Sequence, residues 1–161
     1  IEAAVANASH LGAMSGDSLR LAAQTGISSS KSAGEKKGAT QLDVTVTALT
    51  MKDGVITSCT IDSVQAKVEF DATGTVTSNL EGTVKTKNQL GDGYGMMAYG
   101  NAKFEWNEQA ASFAGYVTGK TPAQVAGIAV NESTKPTDAD LASSVTIAIG
   151  GFQALIAKAC Q

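Results

Sequence analysis

The densest grouping of chemically capable side chains is Gln89-Leu90-Gly91-Asp92-Gly93-Tyr94-Gly95-Met96-Met97, which follows neither a helical nor a strand period. Glycine brings no Cβ, so such a segment lets main chain approach a planar or anionic ligand closely, and methionines beside it offer a soft apolar wall. Tyr94, and Trp106 further on, carry rings that could stack on a ligand ring or serve as ordinary core aromatics. The segment reads equally as a connector between sheet and helix. Other groupings are poorer. Asp62, Asp71 and Asp92 lack the fixed offsets of a calcium loop and read as dispersed turn aspartates. Ser28 to Ser32 offers hydroxyls with no histidine base nearby. His10 is the only histidine, which leaves a catalytic triad or a histidine-rich metal site almost nothing to work with. Arg20 is the only arginine among 12 basic residues, so bidentate clamps for phosphate are scarce, and no P-loop spacing occurs. Cys59 and Cys160 lie too far apart for a CxxC redox or zinc motif. They are either two buried thiols or one long-range disulfide, worth up to ~4–5 kcal/mol in the chain-entropy view.

These groups must be positioned by a chain of 161 residues, 43% hydrophobic and 17% charged, with a net charge of −3. That is one globular domain, able to bury roughly 68–70% of its unfolded surface without metal or disulfide ladder. Mild acidity and the lack of a basic cluster argue against a nucleic-acid partner. No apolar run approaches the ~20 residues that span a bilayer. A chain beginning at Ile1 reads as a processed or trimmed product.

Residues 1–14 hold Val5 and Leu11 among alanines and are expected as a short helix or ordered tail, with 1–16 a weakly ordered N-terminal segment. Leu19 to Ser30 alternates and then turns polar, which predicts a strand and a loop; Lys31, Lys36 and Lys37 with Glu35 continue that hydrophilic loop. Leu42 to Thr50 alternates strictly, Lys52-Asp53-Gly54 follows, and VITSCTI resumes the alternation. Asp-Gly between two such runs predicts a hairpin with a type I′ turn. Val64 to Phe70 predicts a further strand, and Thr75-Val76-Thr77 after Gly74 another, giving an antiparallel meander with one face packed on helices. Phe104, Trp106, Ala110, Phe113 and Val117 form a helical stripe over residues 104–118, with Glu105, Asn107 and Glu108 polar. Thr121-Pro122-Ala123-Gln124 has capping-box form. After a polar loop over 131–140 the chain breaks at Gly150-Gly151 and ends in a helix striped by Phe152, Leu155, Ile156 and Ala159.

The run Asp140-Leu141-Ala142-Ser143-Ser144-Val145-Thr146, followed by Gly150-Gly151 and the helix FQALIAKA, resembles in spacing the D-x-x-S-G-A-T motif of FMN-binding domains. These include flavin-carrying subunits of membrane electron-transfer complexes. Asp140, Ser143 and Thr146 match by position, while Ser144 stands for the glycine and Val145 for the alanine. The strand VITSCTI after Asp53-Gly54 is similar to that family's D-G-K-I strand. In covalently flavinylated members the threonine accepts FMN through a phosphoester, so the resemblance implies a flavin site at Thr146. More broadly, Ser30-Lys31-Ser32, Lys85 through Asp92, Glu105 through Ala110 and Thr137 through Leu141 resemble uncharacterised secreted or lipid-anchored envelope proteins of anaerobic Gram-positive bacteria. That likeness implies an extracytoplasmic location, where a disulfide could persist. Without any ligand, Ser143 to Ile149 also reads as one more strand, since Val145, Ile147 and Ile149 alternate with Thr146 and Ala148.

The expectation is therefore a single α+β domain over 1–161: an antiparallel sheet meander, mostly from residues 17–80, covered by C-terminal helices from residues 104–159. Its cofactor-binding candidates are Thr146, Ser143, Asp140, Tyr94 and Trp106, with FMN or another small ligand as occupant. The alternative is a structural or protein-interaction module of the cell envelope that meets a partner through a sheet edge or apolar patch. No set of base, nucleophile and orienting group defines a reaction.

Overall fold

Alternation in residues 42–50 makes a strand that the Asp53-Gly54 turn joins to the next, but its apolar phase, with Leu42 and Val46, stays exposed, while Thr47 and Leu49 on the other face are buried. Both turn residues have positive φ, 51° and 79°, as a type I′ turn requires. In the structure, a computed structural model that describes residues 13–161, three strands β1 (Ser18–Gly26), β2 (Gly38–Lys52) and β3 (Val55–Phe70) pair antiparallel in the order β1-β2-β3. Residues 1–12, with His10 and most of the expected N-terminal helix, lie outside the described residues.

The expected break between Ile61 and Val64 does not occur: β3 runs unbroken for 16 residues. Asp62 holds it there on its outer edge by accepting the Ser63 N–H at 2.7 Å and the Asn88 N–H at 3.2 Å, while Ser63 is buried and donates its hydroxyl to the Val44 carbonyl of β2 at 2.9 Å. Residues 75–77 form no strand of their own. Val76 makes a single bridge to Phe70, while the Asp71 carboxylate accepts from Thr73 and Thr75 and closes the turn. A bulge places Thr57 and Ser58 opposite Thr50. It also exchanges which residues aim their main chain outward: Ile56 before it, and the odd-numbered residues after it, as Ile61 shows by accepting from Asn88 Nδ2 at 3.0 Å.

The helices follow: α1 (Lys87–Leu90), a 3-10 turn (Gly91–Tyr94), α2 (Met96–Gly100), α3 (Trp106–Val117), α4 (Pro122–Ala126), α5 (Ala139–Ala142) and α6 (Gly150–Ala159). Thr121 caps α4 in a full capping box, as its spacing predicts. Residues 89–97, expected to be irregular, instead form successive helical turns joined at Gly95, where φ is 81° and a Cβ would stand 2.6 Å from the Tyr99 ring. Residues 144–149 form no strand. Gly150 and Gly151, expected as a break, open α6; a Cβ on Gly150 would stand 3.1 Å from Thr134, so smallness there serves close packing rather than chain reversal.

α3 packs along β3 and α6 lies across β1 and β2. Leu49, Thr47 and Ile61 on one sheet face are buried beneath Ala110, Phe113 and Val117 of α3 and Phe152 and Ile156 of α6. Phe113 is fully buried, with its ring 5.4 Å from Phe152, which in turn meets Trp106 edge-on at 5.9 Å. The opposite face carries Leu19, Leu21, Leu42 and Val46, all exposed. Because Phe113 sits at the seam of both long helices and the sheet, Phe113→Ala is expected to lower unfolding stability by about 3–5 kcal/mol, read as a reduced urea midpoint.

Candidate functional site

Asp138 caps α5 by accepting the Leu141 N–H at 3.1 Å, and that short helix carries Asp140 on its exposed side. The Ser143 hydroxyl donates back to the Asp140 carbonyl at 2.7 Å, and Ser143 is exposed. The chain then passes irregularly, through a turn and a bend, into α6 with no strand beside it, so its N–H groups need acceptors. Gln109, wholly buried on α3, supplies one. Its Oε1 accepts the Thr146 N–H at 2.8 Å, the Thr146 hydroxyl at 3.1 Å and the Ile147 N–H at 3.1 Å, while its Nε2 donates to the Phe104 carbonyl at 2.9 Å. The threonine hydroxyl is thus held neither in a sheet ladder nor toward open space; it is turned onto a carboxamide in the helical layer.

Tyr94 and Trp106 do come together, but around a cation. Lys87 Nζ lies 4.5 Å from the centre of the Tyr94 ring and 4.9 Å from that of Trp106. The Tyr94 hydroxyl donates to Gln65 Oε1 at 3.0 Å, and Trp106 is buried against Phe152. One ammonium therefore lies against both rings, and the Trp106 ring also packs edge-on against Phe152. The first turn of α3 lies between the two candidate groups, with Trp106 toward one and Gln109 toward the other.

Two groups that the sequence reading passed over organise this region. Glu105, 2% exposed, accepts the Met96 and Met97 N–H groups, both at 2.9 Å, and so ties the start of α2 to the start of α3. Its own N–H donates to Glu108 Oε2 at 2.8 Å. Gln109 had a legible signal: it stands at i+3 from Trp106 and i−4 from Phe113, within the apolar stripe rather than opposite it. Among the described residues, no group of three or more His, Cys, Asp and Glu side chains is arranged to hold a metal ion.

Cys59 and Cys160 are free thiols, both half-buried. Cys59 Sγ is 3.7 Å from the Thr47 hydroxyl, and Cys160 Sγ is 3.5 Å from Met51 Sδ. Burial pushes the Cys59 thiol up to about 11, despite the opposing Thr47 hydrogen bond. Burial also raises the Cys160 thiol, with Arg20 pulling the other way. Neither has the depressed pKa of a reactive nucleophile.

On the far side of the sheet lies an open apolar hollow of about 370 Å³, lined by Leu21, Ala23, Val46 and Ala48 with Thr60 and Asp62 at its rim. Among the described residues nothing packs over it.

Replacing Gln109 by Leu leaves three donors without their acceptor and is expected to lower stability by about 2–4 kcal/mol, against roughly 1 kcal/mol for Thr146→Val, in paired denaturant titrations. Cys59 gives a pH signature. The unfolded thiol ionises near its ordinary value of 9.0 and the native one at about 11, so deprotonation favours the unfolded chain and stability falls as pH rises across that window. Cys59→Val should therefore lose less stability than the wild type between pH 8 and 11. No protein family, no curated protein and no solved structure matches this chain.

Proposed function

We propose that this chain is a non-catalytic, extracytoplasmic interaction module of the cell envelope, and that it docks an apolar face of a protein partner on the uncovered side of its sheet. One observation carries the reading: Leu19, Leu21, Leu42 and Val46 stand exposed together on the face opposite the helices. Scattered surface apolar residues need no explanation, but a contiguous patch on a flat sheet is the kind of surface that association covers. The envelope location rests on the resemblance noted above. No helix among the described residues is long and apolar enough to cross a membrane.

Flavin carriage is the weaker reading. The Thr146 hydroxyl would first have to leave Gln109, and Lys87 would have to leave the two rings. Added FMN is accordingly expected to leave the melting midpoint unmoved, whereas a bound ligand would raise it with concentration.

The docking reading is tested by Leu21→Lys and Val46→Lys, which place charge on exposed positions. Both should keep the wild-type circular dichroism and melting point yet lose the complex that the wild-type chain forms with envelope extract in pull-down and light scattering. A wild-type chain that stays monomeric at every concentration and retains no partner would overturn it.

A further inference from the structure

One residue breaks the pattern of the uncovered face. Thr50 pairs with Leu19 of β1 and Ser58 of β3, so its side chain shares that face with the exposed Leu19 and Leu21, yet it is only 2% exposed. The helices lie on the other side, and the cover here is the chain just before β1. Asp17 Oδ2 accepts the Thr57 hydroxyl at 2.7 Å, and Thr57 shares a second hydrogen bond of 2.7 Å with the Thr50 hydroxyl. The same carboxylate oxygen accepts the Met14 N–H at 3.1 Å, so the main chain of Met14 stands over side chains of β2 and β3 rather than beside the rim of β1. The Asp17 N–H donates to the Met14 carbonyl at 3.1 Å, and Gly16 has a φ of 89°, the conformation a type II turn needs at its third residue. A reverse turn at this place sends the chain upstream of Met14 back antiparallel to β1, toward the hollow lined by Leu21, Val46 and Ala48.

We propose that residues 1–12 of this same chain are the resident occupant of the hollow, with Val5 and Leu11 seated against Leu21, Val46 and Ala48. Position, reach and chemistry select that occupant. The segment joins the described residues over the face and is aimed along it by the Met14–Asp17 turn. Val46 lies four strand residues from Thr50, about 13 Å, whereas 12 residues span about 18 Å as a helix and about 40 Å extended, so the segment reaches the hollow in either form. Ile1, Val5, Leu11 and four alanines make up most of it, and Glu2 is its one charged side chain. The hollow answers in kind, since Asp62 is the one ionisable group among the residues that line it. Covering it removes apolar surface from water on both sides. Because the segment is covalently attached, it meets the face at an effective concentration that a free molecule has to overcome. The seating stands apart from the docking reading, but a partner that uses this face has first to displace residues 1–12.

The experiment uses the intact chain, methyl-labelled, in nuclear Overhauser spectra. Cross-peaks are expected between the Val5 or Leu11 methyls and those of Leu21 or Val46, with relative intensities unchanged on dilution. Val5→Asp combined with Leu11→Asp should abolish them while the cross-peaks of the Phe113 core persist. In that variant a soluble paramagnetic probe should relax the Leu21 and Val46 methyls severalfold faster than in the wild type. Asp17→Ala, which releases Met14 from Thr57, should weaken the same cross-peaks severalfold. A wild-type chain with no cross-peak from residues 1–12 to the hollow overturns the proposal. So do cross-peaks that fade on dilution, which would put a second copy on the face, or equal access of the probe in wild type and double variant. Concentration-independent cross-peaks with no partner retained from envelope extract by either protein sustain the seating and overturn the docking reading alone.

Discussion

A three-stranded sheet has two faces, and here the helices cover only one. The constraint follows from chain economy. α3 and α6 are the only helices among the described residues longer than five residues, and both are used on the face that carries Leu49 and Ile61. Three strands packed on helices meet the requirement for stability that an isolated two-stranded hairpin fails. Everything else takes its place from that one-sided arrangement: the burial of Phe113 at the seam and the exposed leucines behind it.

Single buried polar side chains organise what regular structure does not. The stretch from Ser143 to Ile149 passes between helices with no strand partner, and Gln109 gathers its donors onto one oxygen. Glu105 does the same for the start of α2. Both side chains come from the first turn of α3, so one helix end fixes the path of two loops that are distant in sequence. The same economy explains why the hydroxyl that a flavin-type motif would offer is engaged. A group that closes a buried network cannot be offered to a ligand without leaving its acceptor behind.

Local pattern made much of this legible. Positive φ at Asp53-Gly54 follows from residue type, and alternation on either side sets the β2–β3 register. The Thr121 capping box and the stripes of α3 and α6 were equally readable. Three features were not, for distinct reasons. Asp62 and Ser63 look like a strand ending because local pattern does not show that the Ser63 hydroxyl is buried on the Val44 carbonyl of the neighbouring strand. Val145, Ile147 and Ile149 alternate like a strand, but alternation cannot say whether a neighbouring edge is free to pair. Gly150-Gly151 looks like a break because a glycine needed for closeness to Thr134 is indistinguishable, in one sequence, from a glycine needed for chain reversal. Of the candidate site, Tyr94 and Trp106 did prove to be neighbours, while Lys87 between them and Gln109 beneath Thr146 emerge only once the chain is folded.

The last turn of α6 sets Lys158 beside β1, where its ammonium donates to the outward-facing Ala23 carbonyl at 2.8 Å. A bare strand rim next to a bare apolar plane invites chain-on-chain polymerisation, in which each molecule templates the next. With a hydrated cation parked at the middle of that rim, a second strand cannot zip along it without displacing the charge. A charge held on the β1 rim therefore opposes edge-to-edge pairing of a second strand along it.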